Sequence, residues 1–283
     1  MRRHGYIGRK KRLPHIKDKP AIVITAFSGG GRSRVPLEIF RKRLADRFPE
    51  HETFWAYGSA ILRKKRGLPG LHETLARVEA SGFRRVVVQP LYIFPGTEYR
   101  EMRETCDYFP GLRIFSAETL LHRWEFIRET LTVVEEDFLA PDEGLNLLAL
   151  HGTPLAADPA NIVYLGFDQL VRDLYPNAAT GAVEGIPDHE AVFSRFKRRA
   201  MAESHRRVKI IPMMFVAGVH VEEDLMGPEK SWRLQLEELG FTVECSTVQC
   251  GNSFCFKGLA DYPRIIDFFL NRLEQGLFLA DHF

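Results

Sequence analysis

The sequence predicts an α/β protein made of two similar lobes, each a parallel sheet flanked by helices, with a ligand site in the cleft between them. Three observations carry that expectation. Apolar runs of strand length alternate with segments of helical period along nearly the whole chain, the pattern of parallel sheets joined by crossover helices. The series breaks at residues 140–144, APDEG, a linker composition, and then runs a second time. Finally, VVVQPLYIFPGTEY (86–99) can be laid on KIIPMMFVAGVHV (209–221), which pairs Pro90 with Pro212, Gly96 with Gly218 and Glu98 with His220.

Residues 1–19 are strongly basic but lack the apolar core of a secretory signal, and they read as an exposed arm. The first lobe, residues 20–139, opens with a strand over 21–27. Leu37, Phe40, Leu44 and Phe48 then fall on one helical face after Pro36, a residue suited to a helix start. A strand over 54–57, a helix over 71–79 closed by Gly82, a strand over 85–94 and helical stretches to about 139 follow. The second lobe, residues 145–283, repeats the order: the strand NLLALHG (146–152), a helix around 161–174, a strand ending at Glu184, a helix around 190–201 and a strand over 208–216.

Composition narrows the function. Lys plus Arg (39) nearly balances Asp plus Glu (37), so a formal charge of +2 makes no general case for nucleic acid or membrane partners. No apolar run approaches the ~18 residues of a transmembrane helix. The expectation is a soluble, cytoplasmic protein, with homo-oligomerisation left open. Cys245, Cys250 and Cys255 recur every five residues, which fits neither a CxxC metal knuckle nor one helical face; they read as unpaired thiols in a loop after a strand.

The twofold comparison also pairs Phe27 with His151 and Tyr57 with Glu184, each at a strand end. Three strand ends that carry Phe, Tyr and Glu in the first half therefore carry His151, Glu184 and His220 in the second. Open parallel sheets bind ligands beyond those carboxyl ends. Singly, each residue has a structural reading as a strand cap, an amide acceptor or a half-buried helix-entrance histidine. Jointly, two imidazoles and a carboxylate suit Co, Fe, Ni or Zn with coordination positions left open. A neutral imidazole can also accept a proton while a carboxylate stabilises the imidazolium or holds a cation. The loop SGGGRSR (28–34) offers backbone amides with Arg32 and Arg34 to an anion, yet lacks the GK[ST] and GxGxxG spacings of nucleotide cradles. LRKKRG (62–67) is a second basic candidate.

The segments VVVQPLYIFPGTEY, LLALHGTP, GAVEGIPD and IIPMMFVAGVHVEEDLMGPEKSWRLQLEELG resemble the anaerobic-type sirohydrochlorin cobaltochelatases, class II chelatases related in fold to ferrochelatase, and the resemblance spans residues 19–276. It implies that His151, Glu184 and His220 are the catalytic, metal-binding set. The implied reaction inserts Co(II), a substrate metal, into sirohydrochlorin or precorrin-2 in anaerobic cobalamin synthesis, with no organic cofactor. Fe(II) and Ni(II) suit the same donors. Iron insertion toward sirohaem or haem, or a non-catalytic tetrapyrrole- or metal-binding protein, stay open as alternatives. The resemblance makes His151 the proton acceptor, and it implies tetrapyrrole contacts by Phe27, Ser28, Arg32, Arg34 and Glu98, a polycarboxylate substrate calling for Arg and backbone N–H groups around an apolar slot. The chain departs from the family twice. It has Phe27-Ser28-Gly29-Gly30-Gly31-Arg32 where Phe-Gly-Thr-Ser is frequent, and Tyr92 where many members carry histidine.

Overall fold

A computed structural model describes residues 15–27, 34–203 and 206–283. Strands β1 (Ala21–Ala26), β2 (Thr53–Tyr57), β3 (Arg85–Pro90) and β4 (Arg113–Ser116) form a parallel sheet in the order β2-β1-β3-β4. Strands β5 (Leu145–Gly152), β6 (Ala178–Glu184), β7 (Arg207–Pro212) and β8 (Thr242–Cys245) form a second in the matching order β6-β5-β7-β8. Helices α1 (Arg34–Arg47), α2 (Ala60–Arg66), α3 (Leu71–Ala80), α4 (Thr97–Asp107) and α5 (Trp124–Val134) belong to the first half of the chain. Helices α6 (Ala160–Leu174), α7 (His189–Glu203), α8 (Trp232–Glu238) and α9 (Pro263–His282) belong to the second.

Inner strands such as β1 and β3 are buried along their length on both sides because the sheet is covered on both faces, whereas the edge strands β4 and β8 are partly exposed. Side chains alternate across a strand, so Ala21 and Val23 pack outward with Leu75 and Val78 of α3 and Met102 of α4. Ile22 and Ile24 point the other way, into one central cluster that also holds Leu148 and Leu150 of β5, Phe40 of α1, Phe167 of α6 and Phe269 of α9. Leu145, Leu147 and Ala149 cover the opposite face of the second sheet against Phe193 and Phe196 of α7 and Trp232 of α8. The lobes thus share a central core.

The repeat is visible bond by bond. Leu91 N–H donates to Thr25 O as Met213 N–H donates to Ala149 O, Ala117 to Val88 as Ser246 to Ile210, and Leu120 to Tyr92 as Leu259 to Met214. These bonds equate Pro90 with Pro212 and Phe27 with His151, as the sequence comparison does. They correct one pairing. Tyr57 lies opposite Ala26 and Ala182 lies opposite Leu150, so Tyr57 matches Ala182, and Glu184 matches Ser59. The error arises because short apolar strands slide by two residues without changing the face of any side chain. The third strands also stop earlier than expected, at Pro90 and Pro212, which have no N–H for the ladder.

The cysteines need a second correction. Cys245, Cys250 and Cys255 lie on β8, β9 (Thr247–Cys250) and β10 (Ser253–Phe256), not in a loop; the last two strands form an antiparallel hairpin. The matching hydrogen bonds on either side of it mark this hairpin as an insertion absent from the first half. All four cysteines are free thiols, and burial pushes Cys106 up to about 11 and Cys245 up to about 12, far from thiolate reactivity.

Helix α9 follows the second sheet in sequence but packs on the first. Gly276 lets it approach closely, since a Cβ there would lie 2.7 Å from Val87 Cγ1. Arg272, 7% exposed, donates to Thr119 O at 2.6 Å and Leu120 O at 2.9 Å, with its guanidinium 3.7 Å from the Phe126 ring centroid. Arg43–Asp267 and Arg47–Glu274 ion pairs join it to α1.

Candidate functional site

His151 is the penultimate residue of β5, and His220 enters a short π-helical turn (Val221–Leu225) eight residues beyond the end of β7. Central adjacent strands β5 and β7 bring both histidines to the carboxyl edge of the second sheet. His151 Nε2 and His220 Nε2 lie 3.1 Å apart, with ring centroids 4.5 Å apart and planes at 84°. Each ring is fixed from behind. His151 Nδ1–H donates to Gly152 O at 2.9 Å and His220 Nδ1–H donates to Asp224 Oδ2 at 2.7 Å. Carbonyl and carboxylate oxygens only accept, which assigns the Nδ1 protons and turns both Nε2 atoms inward. Two nitrogens at that spacing are close enough to ligate one cation at roughly 2.1 Å with an N–metal–N angle of about 95°, a cis pair.

Glu184 ends β6 opposite Gly152, the residue after His151, and Thr153 N–H donates to its carbonyl at 2.9 Å. Its side chain is exposed and makes no hydrogen bond or ion pair among the described residues. Gly152 is what permits this close approach: its φ is +75°, and a Cβ would fall on the Glu184 carbonyl oxygen. Among the described residues no three His, Cys, Asp or Glu side chains surround one metal position. The structure brings the two histidines together and does not bring the Glu184 carboxylate into one donor cluster with them among the described residues; only its backbone is placed, opposite Gly152.

Phe27 follows β1 and is 55% exposed, and Glu98 lies in the first turn of α4. Both line a cavity of about 250 Å³ at the carboxyl edge of the first sheet, with Thr25, Tyr57, Arg63 and Tyr92. Burial raises the Tyr92 hydroxyl above its usual range, so this phenol stays protonated. Neither histidine lines that cavity, nor a larger one of about 560 Å³ between α4 and β4. Ser28 and Arg32 lie outside the described residues, and Arg34 is described only as the first residue of α1. From the basic run of α2, Arg63 turns into the cavity and makes no ion pair among the described residues, whereas Lys64, Lys65 and Arg66 are exposed. The cavity stands next to the second lobe, because Asp158, buried before α6, accepts from Thr97 N–H of α4 at 3.2 Å. Phe94 packs on Tyr164 and Phe167 of α6 across the same boundary.

The family model described as "Cobalt chelatase (CbiK)" matches residues 21–277. The chain belongs to that family. Among similar proteins, this chelatase is 25% identical to "Sirohydrochlorin cobaltochelatase CbiKC" of Nitratidesulfovibrio vulgaris over 99% of this chain and 98% of the relative. It is 22% identical to "Sirohydrochlorin cobaltochelatase" of Salmonella typhimurium, covering 93% and 98%. The solved structure of SirB from Bacillus subtilis with Fe3+ superposes with a TM-score of 0.61 at 13% identity, covering 92% of this chain and 96% of that one. SirB from Bacillus subtilis subspecies spizizenii in complex with cobalt gives 0.54 at 12% identity, covering 92% and 95%. At those identities the likeness concerns the fold, which is that of the two-lobed chelatases. Among the described residues no helix is long and apolar enough to cross a membrane.

Asp224, against His220 Nδ1, is a partner of the candidate site that sequence reasoning missed. Its signal was available: four residues after His220, in HVEED, it has the spacing at which side chains meet along a helix.

Proposed function

We propose that this chelatase inserts Co(II) into a sirohydrochlorin-type tetrapyrrole at the carboxyl edge of its second sheet, with His151, His220 and Glu184 handling the metal and the pyrrole protons. The Nε2···Nε2 separation of 3.1 Å between His151 and His220 carries the reading. Two neutral imidazoles can hold a dication, Glu184 on the neighbouring strand supplies a third donor or a counter-charge, and the remaining positions stay open. Incomplete coordination suits a metal that must be handed on. The surroundings suit a flat macrocycle. Phe27, Leu155, Ile186 and Val219 are exposed apolar residues in the segments that follow β1, β5, β6 and β7, on the carboxyl edges where open parallel sheets bind ligands. Arg63, with Arg32 and Arg34, would meet the carboxylate arms.

Metal insertion requires two pyrrole N–H protons to leave. His151 is assigned as acceptor by family resemblance, and His220 as ligand. The Asp224 carboxylate 2.7 Å from His220 Nδ1 forms a carboxylate–imidazole pair of the kind found behind general bases, which favours the reverse assignment as a second reading. Iron insertion stays the nearest alternative reaction, since Fe(II) takes the same donors. The reaction class is that of a metal-inserting lyase, and a cytoplasmic setting without an organic cofactor belongs to the same proposal.

Anaerobic initial rates against Co(II) concentration, followed by tetrapyrrole absorbance, test the assignment, with Fe(II) and Ni(II) in parallel. His151→Ala should lose about 10²- to 10⁴-fold in rate without rescue by metal, as for a lost general base. His220→Ala and Glu184→Ala should be partly rescued by excess Co(II). Rescue of His151→Ala alone would exchange the roles of the histidines. Stoichiometric binding without turnover in the unsubstituted protein would sink the enzymatic reading.

A further inference from the structure

The two histidines are held by chemically different partners: a neutral backbone carbonyl for His151 and a carboxylate for His220. The carboxylate is held firmly in place. Val221 and Leu225, on either side of it in the π-helical turn, are both fully buried in the core of the second lobe. Met226 N–H closes the wide turn on Val221 O at 3.0 Å. Gly227 follows where a Cβ would meet the Glu223 carbonyl, and Ser231, fully buried, donates to Gly227 O at 2.8 Å while capping α8 through Leu234 N–H. Asp224 therefore sits on a segment pinned at both ends, half exposed at the surface, and its carboxylate pairs with the His220 ring. Single widened turns of this kind concentrate at functional sites.

We infer that Asp224 is a positioning residue for metal capture: it locks the Nδ1–H tautomer and the ring orientation of His220 so that the Nε2 lone pair faces the cation, and it supplies a negative charge one ring away. The inference rests on the proposed metal role of His220. Asp224 sets one carboxylate directly behind a ligating imidazole, a counter-charge to the incoming dication. Carboxylates behind ligating histidines typically contribute 10- to 100-fold in metal affinity. Among the described residues His151 Nδ1 meets only the Gly152 carbonyl, so the two ligands are built unequally.

The test is Co(II) titration of the whole protein without tetrapyrrole, followed by the cobalt absorption spectrum, for the unsubstituted protein, Asp224→Ala, Asp224→Asn, His220→Ala and the Asp224→Ala/His220→Ala pair. Asp224→Ala should weaken Co(II) binding about 10- to 100-fold and raise the apparent KM for Co(II) equally, with kcat at saturating metal and the tetrapyrrole KM little changed. Asp224→Asn, which keeps an acceptor for Nδ1–H and loses the charge, should fall between. In the His220→Ala background Asp224→Ala should cost little more, a non-additivity that a merely structural role would not produce. Unaltered Co(II) affinity in Asp224→Ala, or full additivity in the pair, overturns the inference. Unaltered affinity in His220→Ala overturns instead the metal site on which it rests.

Discussion

Replacing Gly152 by alanine tests how the site is assembled. Gly152 has a φ of +75°, and a Cβ there would collide with the Glu184 carbonyl and lie 2.8 Å from Ala182 Cβ. A left-handed alanine costs roughly 1–2 kcal/mol. Relief of the collision pushes β5 and β6 apart at their carboxyl ends by on the order of 1 Å and breaks the 2.9 Å bond from Thr153 N–H to Glu184 O, worth about 0.5–1.5 kcal/mol. The sum, about 1.5–3.5 kcal/mol, should lower Tm by roughly 3–14 °C in a chain of this size. Activity should suffer more. A misplacement near 1 Å can cost about 10²-fold in rate, and the displaced strand end carries Glu184 away from His151. Calorimetry and initial rates of Co(II) insertion at a temperature where the variant is folded give both quantities. A Tm within about 1 °C of the parent with undiminished insertion would show that the strand ends yield freely, and would refute the claim that this glycine sets the spacing of the site.

Three further outcomes are expected. Arg272→Met should cost about 2–4 kcal/mol by leaving the buried Thr119 and Leu120 carbonyls without donors, while the KM for Co(II) is unchanged because α9 touches neither histidine; a shifted KM would show that α9 shapes the metal site. Neutralising Arg32 and Arg34, or Arg63, should raise the KM for the tetrapyrrole more than it lowers kcat, since contacts to carboxylate arms form equally in ground and transition states; an unchanged KM rejects their role. Burial lowers the His122 imidazole below its usual 6.5 despite the opposing Glu118 carboxylate. The unfolded chain therefore takes up a proton below about pH 6.5 that the fold resists, so this contribution to stability is present above that pH and is lost as pH falls through it. The Tm advantage of the parent over His122→Gln should accordingly shrink from pH 8 to pH 5.5 in melting curves, and a constant difference would count against it.

Much of the fold was legible because both sheets are buried on two faces. Apolar runs such as AIVITA and the series Leu37, Phe40, Leu44 stand out when both sides of a strand and one side of a helix must avoid water. The repeat was legible where proline and glycine punctuate it, as at Pro90 and Pro212. It was misread at Tyr57 and Glu184, where nothing in the strand marks its register. His151 and His220 could be found as polar residues at strand ends. Asp224 was passed over because a run of acidic residues looks like solvated surface until one of them is seen against a ring nitrogen.

By itself the sequence determined the alternation of elements, the repeat, the family and the donor types, since each is written in local periodicity or in a short motif. Only the tertiary structure decided the rest. Residues 151 and 220 are separated by 69 positions, and no local preference sets the distance between their rings. It follows from adjacent parallel strands at a fixed spacing of about 4.8 Å and from a turn anchored by Val221 and Leu225. The placement of α9 on the first sheet is equally non-local. Its apolar face could cover either sheet, and the contact of Gly276 with Val87, together with the carbonyls that receive Arg272, selects one.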